Sequence, residues 1–155
     1  MLTNQIKEEI LHGQTVLGIE LGSTRIKAVL INSENQPIAQ GGHDWENTLL
    51  DGVWTYSLDD VWKGIQSCFA SLQANIQHTY AVKLCRTKAL GVSAMMHGYL
   101  PFDSEGRQLA AFRTWRNTMT SQAAQELGTL FDYPVPERWS ISHLYQAILN
   151  KEGHV

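Results

Sequence analysis

Short runs of branched apolar residues near the N-terminus predict three antiparallel strands. The first covers about residues 15–20 and the second about 26–32, and a turn that contains Gly22 joins them. A third run follows the next turn, at about residues 38–44. Residues 4–12 have the spacing of a short amphipathic helix. The chain is therefore predicted to begin with a helix and a β-meander.

A longer stretch with helical periodicity follows the meander. Ser57 and Asp60 are typical of a helix N-terminus, because a side-chain oxygen and an acid can satisfy free backbone N–H groups there. The predicted buried face of this helix contains Val61, Ile65, Cys68, Phe69, Leu72 and Ile76. The apolar run 89–96 then predicts a buried strand, which a right-handed crossover would place parallel to an earlier strand.

The last third of the chain predicts a hairpin and two helices. The hairpin joins residues 99–102 to residues 108–112. One helix is expected over about residues 120–127, with Gly128 ending it, and Ser140 is expected to cap the other. The apolar face of the final helix is predicted to contain Ile141, Leu144, Tyr145, Ile148 and Leu149. Strands and helices in this order indicate the α/β class.

Composition narrows the function classes. With 43% hydrophobic and 17% charged residues, the 155-residue chain has the balance of a folded globular protein rather than a disordered one. A net charge of −3 argues against nucleic acid and anionic membranes as partners. Residues 1–14 do not resemble a secretory signal, and the two cysteines lack metal-ligand spacing. The sequence therefore favours a cytoplasmic protein with free thiols.

The turn between the first two strands carries the strongest candidate chemistry. Gly22 lets backbone N–H groups approach a bound group closely, and the hydroxyls of Ser23 and Thr24 add to a concavity that suits phosphate. Glu20 offers the oxygen ligands that Mg²⁺ prefers, and Lys27 adds a positive charge in the next strand. A surface hairpin with solvated polar residues would carry the same pattern, so the turn alone leaves both interpretations open.

Several segments, taken together and in order, resemble the FGGY carbohydrate kinases, a family of actin-like ATPases. Residues 20–27 resemble the first phosphate motif of the actin-like ATPases, Asp-x-Gly-Thr/Ser-x-x-x-Lys/Arg. Residues 91–98 resemble the family's Gly-Ile-Ser-x-Gln-Met-His-Gly stretch. Residues 102–106 match the hairpin of the family, 113–117 its Trp-x-Asp segment and 142–145 its Ala/Ser-x-Lys-Leu-x-Trp helix. The resemblance therefore extends over most of the chain.

This resemblance implies an actin-like ATPase (ribonuclease H-like) domain, with a mixed sheet and flanking helices. Residues 15–155 would form most of the N-terminal, sugar-binding domain of a longer kinase, and residues 1–14 would precede it as an extension. The family's general base, its adenosine pocket and its second domain would all come after Val155. The chain by itself is therefore expected to be an incomplete and inactive fragment, with the missing C-terminal domain as its partner.

The resemblance also implies a reaction and roles for individual residues. The whole protein would transfer the γ-phosphate of ATP to a hydroxyl group of a ketopentose, sugar acid or polyol. Gly22, Ser23, Thr24 and Lys27 would bind the ATP phosphates, and Glu20 would hold Mg²⁺. No catalytic residue is expected within the chain itself, and a homodimer is left open as its assembly. The sugar would contact Met96, His97, Gly98, Trp115 and Asn117.

Two positions depart from the family pattern and keep other functions open. Glu20 stands where the phosphate motif has Asp, and Asn117 stands where the Trp-x-Asp segment has Asp. Both changes favour a second hypothesis, in which the fold serves as a non-catalytic sugar or nucleotide sensor. A third hypothesis is an actin-like ATPase whose product is motion or assembly. The Met-His-Gly and Trp-Arg-Asn segments argue against that third hypothesis.

Overall fold

The computed structural model describes residues 2–155, which divide into two compact units. The sheet unit contains residues 2–46 and 58–95, and the C-terminal unit contains residues 47–57 and 96–155. In chain order the elements are α1 (Leu2–Leu11), β1 (Val16–Leu21), β2 (Arg25–Ile31), β3 (Pro37–Asp44), β4 (Thr48–Leu50), β5 (Val53–Thr55), α2 (Leu58–Tyr80), β6 (Ala89–Ala94), α3 (Ser121–Phe131) and α4 (Ser140–Leu149).

The sheet unit is built on a mixed four-stranded sheet in the order β3-β2-β1-β6. The first three strands form the predicted antiparallel meander, and β6 pairs parallel to β1, as the crossover through α2 requires. Glu20 faces Lys27 across the β1–β2 pair and Ser93 across the β1–β6 pair. The α/β class with a mixed sheet and flanking helices is thus confirmed.

The core of the sheet unit lies between β2 and α2. Ile26, Ala28 and Leu30 alternate along β2 and are at most 1% exposed. They belong to one cluster with the residues of α2 that recur every fourth position: Cys68, Leu72 and Ile76. Phe69, which was predicted to share this face, is 36% exposed, because it follows Cys68 and is rotated about 100° around the helix axis.

Leu72 provides a direct test of this packing. Its side chain is fully buried, so Leu72→Ala should destabilise the sheet unit by about 2–5 kcal/mol through lost contacts and a residual cavity. Phe69→Ala on the same helix is the matched control, and its cost should be clearly smaller. Denaturant unfolding of both variants measures the difference. Equal losses of stability would mean that Leu72 is not the central core residue of α2.

Helix α2 covers only one side of the sheet. The edge N–H groups of β3 donate to its side chains, Gln40 N–H to Asn75 Oδ1 (3.1 Å) and Gly42 N–H to Ser71 Oγ (3.4 Å). By contrast, all six residues of β6 are exposed, so the prediction of a buried strand at 89–96 was wrong. The apolar run there has the composition of a buried strand, but α2 packs on β2 and β3 and leaves the opposite edge uncovered.

The C-terminal unit contains the predicted hairpin in reduced form, as single bridges between Tyr99 and Arg113 and between Phe102 and Gln108. It also contains the β4–β5 hairpin, which periodicity missed because strands of three residues are too short to show it. The signal was the Asp51-Gly52 dipeptide, since both residues have positive φ angles (48° and 81°), as tight hairpin turns require.

The two C-terminal helices differ from prediction in their ends and faces. Helix α3 continues past Gly128 to Phe131 and ends at Asp132, which adopts the left-handed conformation (φ 49°). Helix α4 buries Ser142, His143, Gln146 and Ala147. The predicted apolar face is therefore wrong in part, since Ile141, Leu144 and Ile148 are 41–50% exposed.

Polar and aromatic groups of the C-terminal unit lie next to the buried face of α4. Arg113 forms an ion pair with Glu152, and Tyr99 Oη lies 2.8 Å from His154 Nε2. The ring of His143 stacks near Tyr99 and is fully buried. Burial, assisted by the charge of Arg113, lowers the pKa of His143 to about 4, so this imidazole is neutral at pH 7. The buried face of α4 is thus polar in part, and neither ring nitrogen of His143 has a hydrogen-bond partner among the described residues.

Candidate functional site

The predicted phosphate turn is a tight, well-supported loop. Gly22 N–H donates to the carbonyl of Arg25 (3.0 Å), and a Cβ on Gly22 would lie 2.8 Å from that same oxygen. Only glycine therefore fits without a shift of the backbone. Trp45 clamps the turn from β3's end, donating through Nε1 to the carbonyl of Gly22 (2.8 Å) and through its backbone N–H to the carbonyl of Thr24 (3.1 Å).

Glu20 and Lys27 form a loose cross-strand pair beside this turn. Lys27 Nζ lies 3.7 Å from Glu20 Oε2, and both side chains are more than half exposed. Gly18 and Gly91 pair across β1 and β6, so no side chain rises from these two positions. The result is an open cleft of about 510 Å³, which Glu20, Lys27 and Ser93 line with polar groups. A charged ligand can reach both members of the pair.

The cleft fits a magnesium ion only as part of a larger complex. Within residues 2–155, no group of three His, Cys, Asp or Glu side chains is placed to hold a metal by itself. Mg²⁺ commonly keeps several waters and binds through one or two carboxylates together with substrate phosphates. The accessible carboxylate of Glu20, next to the turn at residues 22–25, is one ligand of the kind that such a complex uses.

The Met-His-Gly segment of the C-terminal unit combines positive φ angles with an aromatic contact. His97 has φ 67° and Gly98 φ 105°, and a positive φ is uncommon for a residue with a side chain. The imidazole of His97 stacks on the indole of Trp139, with ring centroids 6.2 Å apart and planes inclined by 17°. Met96 is 74% exposed. The aromatic contact thus holds the imidazole of His97 against Trp139.

Gly98 connects this segment to the chain just before α4. Its N–H donates to the carbonyl of Arg138 (3.2 Å), and its own carbonyl accepts from Ser140 Oγ (2.6 Å). A Cβ on Gly98 would lie 2.8 Å from the carbonyl of Arg113, so the close approach needs glycine. Ser140 thus anchors Gly98 instead of capping α4, whose N-terminus has no side-chain cap.

Trp115 and Asn117 line one open cavity but differ in their availability. The cavity has a volume of about 550 Å³, and Trp115 is 45% exposed on its wall. Asn117 is 3% exposed, and its amide is engaged with the backbone. Its Oδ1 accepts from Trp54 N–H (2.9 Å), and its Nδ2 donates to the carbonyls of Trp54 (2.8 Å) and Thr114 (2.9 Å). A sugar contact of Asn117 therefore stays a prediction, whereas its link to β5 is observed.

Sequence reasoning did not identify Glu137, which lines the same cavity. Its Oε2 atom is buried and has no hydrogen-bond partner in the part of the chain that the structure describes. Pro134 and Pro136 mark this segment as a loop, and a carboxylate in a loop gives no periodic signal. Only the fold brings Glu137 to the cavity that Trp115 lines.

Comparison with known protein families identifies a match over most of the chain. The chain matches the N-terminal domain of the FGGY family of carbohydrate kinases over residues 15–134. No curated protein matches the chain significantly. Among residues 2–155, no helix is both long enough and apolar enough to cross a bilayer.

Solved kinase structures share the fold at low sequence identity. A "xyloylose kinase" from Brucella ovis is 20% identical with a TM-score of 0.76, and the match covers 90% of this chain and 30% of that one. A xylulose kinase from Rhodospirillum rubrum is 16% identical (TM-score 0.73), over 90% of this chain and 30% of that one. The glycerol kinase from Plasmodium falciparum, solved with ADP, is 14% identical with a TM-score of 0.69. That match covers 90% of this chain and 29% of the glycerol kinase.

The TM-scores show a shared fold, and the coverage shows how much of each kinase this chain matches. The chain spans about 30% of the length of the kinases that it matches. The chain shares the fold of the part of these kinases that it matches. Since the family match extends over residues 15–134, well over half of the sequence, the chain belongs to the FGGY family of carbohydrate kinases.

Proposed function

We propose that residues 1–155 are the N-terminal part of a kinase that transfers the γ-phosphate of ATP to a hydroxyl group of a ketopentose, sugar acid or polyol. The observation that carries this proposal is the strained His97-Gly98 backbone, held against the 138–140 segment beside the cavity. A positive φ is costly for a residue with a side chain and recurs at ligand-binding sites, although it also occurs in turns such as Asp51-Gly52. The proteins that share the fold include a xylulose kinase and a glycerol kinase, which supports a ketopentose or a polyol as substrate.

Phosphoryl transfer is catalysed mainly by positioning of the reactants and by stabilisation of charge, and little covalent catalysis by the protein is needed. In the proposed mechanism, the backbone N–H groups and hydroxyls of Gly22, Ser23 and Thr24 bind the phosphates of ATP. Lys27 adds positive charge there, and Glu20 holds Mg²⁺, which supplies charge neutralisation when bound. The general base and the adenosine pocket belong to the polypeptide outside residues 1–155. The chain alone should therefore form no ADP in response to a sugar.

A sensor without catalytic activity remains the second candidate. Two observations favour it: Glu20 has a longer side chain than the Asp of the phosphate motif, and the amide of Asn117 is used by the backbone. The discriminating assay is sugar-dependent ADP production by the complete gene product, with D-xylulose, glycerol and gluconate as substrates. Turnover of any of the three supports the kinase. Binding of sugar and ATP without turnover supports the sensor.

His97 tests the proposed sugar site in that protein. We expect His97→Ala to weaken sugar binding about tenfold, since a lost hydrogen bond of roughly 1.4 kcal/mol is a factor of ten. ATP affinity should stay unchanged, because the phosphate turn at residues 22–27 is a separate group. His78→Ala, at the exposed end of α2, is the control. Calorimetric titrations with both ligands give the answer, and a loss of ATP binding alone would mean that the two sites were assigned the wrong way round.

A further inference from the structure

The carboxylate of Glu137 is a charged group that the C-terminal unit leaves unexplained. Its Oε2 atom is buried and accepts no hydrogen bond from the described residues, 2–155. A buried carboxylate oxygen without a donor is unfavourable, and native proteins rarely retain one without a reason. Glu137 also lines the cavity of about 550 Å³. The side chain thus has no partner among the described residues, and a donor in the cavity can approach it where it lines the wall.

The other residues that line the cavity indicate which class of ligand could carry the donor. Trp115, which is 45% exposed, presents an indole, and Thr118 adds a hydroxyl. Asn117 also lines the cavity, but its amide is committed to backbone groups. A flat aromatic surface beside a carboxylate suits a ligand with both an apolar C–H face and hydroxyl donors. Sugars and polyols combine these two features.

The backbone that carries Glu137 is fixed before any ligand arrives. Thr120 Oγ1 donates to the carbonyl of Glu137 (2.6 Å), and Thr120 is fully buried. The carbonyl of Pro136 accepts from Ser142 Oγ (2.8 Å) and from the N–H of Trp139 (3.2 Å). These bonds tie the loop to the start of both α3 and α4. A preorganised acceptor loses little conformational entropy on binding, which favours specific recognition.

We propose that Glu137 is a specificity-determining residue that accepts a hydrogen bond from a hydroxyl group of the bound sugar. This inference rests on the proposed function and adds a residue that the family motifs do not contain. The part of the ligand that reaches Glu137 is a hydroxyl group, since a carboxylate or phosphate there would be repelled by the like charge. The site thus selects how the sugar is oriented in the cavity.

The test compares three variants of the complete gene product: Glu137→Ala, Glu137→Gln and Glu126→Gln. Glu126 is an exposed acid on α3 that accepts from Tyr145 Oη (2.8 Å), so its variant is the matched control. D-xylulose and glycerol are the probes, in calorimetry and in kinetic assays. Hydrogen bonds to charged groups contribute more than neutral ones, so Glu137→Ala should raise the Kd of the better-bound sugar about tenfold to a hundredfold. Glu137→Gln should give a smaller increase.

The kinetic readout separates recognition from folding. The KM for the sugar should rise in both Glu137 variants while the KM for ATP is unchanged, and Glu126→Gln should match the wild type. Unchanged sugar affinity in folded Glu137→Gln and Glu137→Ala, with an active wild type, would overturn this inference and leave the proposed function standing. A wild type that binds sugar tightly without phosphorylating it would instead overturn the kinase, while the affinity ratios would still test Glu137.

Discussion

Glu20→Ala should lower sugar-dependent ADP production by the complete gene product at least about a hundredfold at saturating substrates, whereas Glu20→Asp should retain or raise it. The physical reason is the proposed role of the Glu20 carboxylate in holding Mg²⁺ next to the phosphate turn. The metal neutralises charge that develops on the transferred group, and its contribution to the barrier is several kcal/mol. A carboxylate one bond shorter still offers the same oxygen donors.

The expected loss cannot come from unfolding, because the structural role of Glu20 is slight. Its contact with Lys27 is a 3.7 Å pair between half-exposed side chains, and such pairs contribute about 0–1 kcal/mol to stability. Asp44→Ala is the matched control, since Asp44 forms a similar exposed pair with Arg25 (3.4 Å) on the neighbouring strands. Steady-state kinetics over a range of Mg²⁺ concentrations provides the measurement. A Glu20→Ala enzyme with wild-type turnover would show that this carboxylate does not hold the Mg²⁺ that the reaction needs.

The sheet unit was predictable from the sequence because its signals are local. Branched residues alternate along β2, the glycine turn lies between two apolar runs, and α2 has one clear apolar row. The burial of β6 was not predictable in the same way. Its six residues have the composition of a core strand, but exposure depends on whether a helix lies over them, and α2 packs elsewhere. Periodicity identifies a strand without saying what covers it.

The candidate site shows the same division between local and distant determinants. The positions of Gly22, Glu20 and Lys27 follow from one hairpin, so a short motif was enough to place them together. Asn117 depends instead on Trp54, which is 63 positions away in the sequence. Glu137 reaches the cavity through Thr120 and the start of α4. Roles that depend on contacts of this kind become visible only in the folded chain.

The position of Asn117 leads to a prediction that the family pattern would reverse. The FGGY pattern has Asp at this position, so Asn117→Asp would seem to restore a missing carboxylate. In the structure the amide donates to the carbonyls of Trp54 and Thr114, and a carboxylate cannot donate. The variant would take away one of the two donors to each of these carbonyls, which also accept from the N–H groups of Thr114 and Asn117, and would direct a buried negative charge towards them. We expect it to destabilise the C-terminal unit by roughly 3–5 kcal/mol, the cost typical of an uncompensated buried charge.

The pH dependence of that loss identifies its cause. Burial and the two carbonyls would raise the pKa of the new carboxyl above its unfolded value, so the folded variant would bind a proton more readily than the unfolded chain. Its stability deficit relative to the wild type should therefore be largest at neutral pH and should shrink as the pH falls towards 4, since the protonated acid recovers one donor. Denaturant titrations at several pH values measure this, with Asn35→Asp in the exposed β2–β3 turn as the matched control. If Asn117→Asp were as stable as the wild type and more active, its side chain would have to turn into the cavity, and the family's sugar contact would then apply to this chain directly.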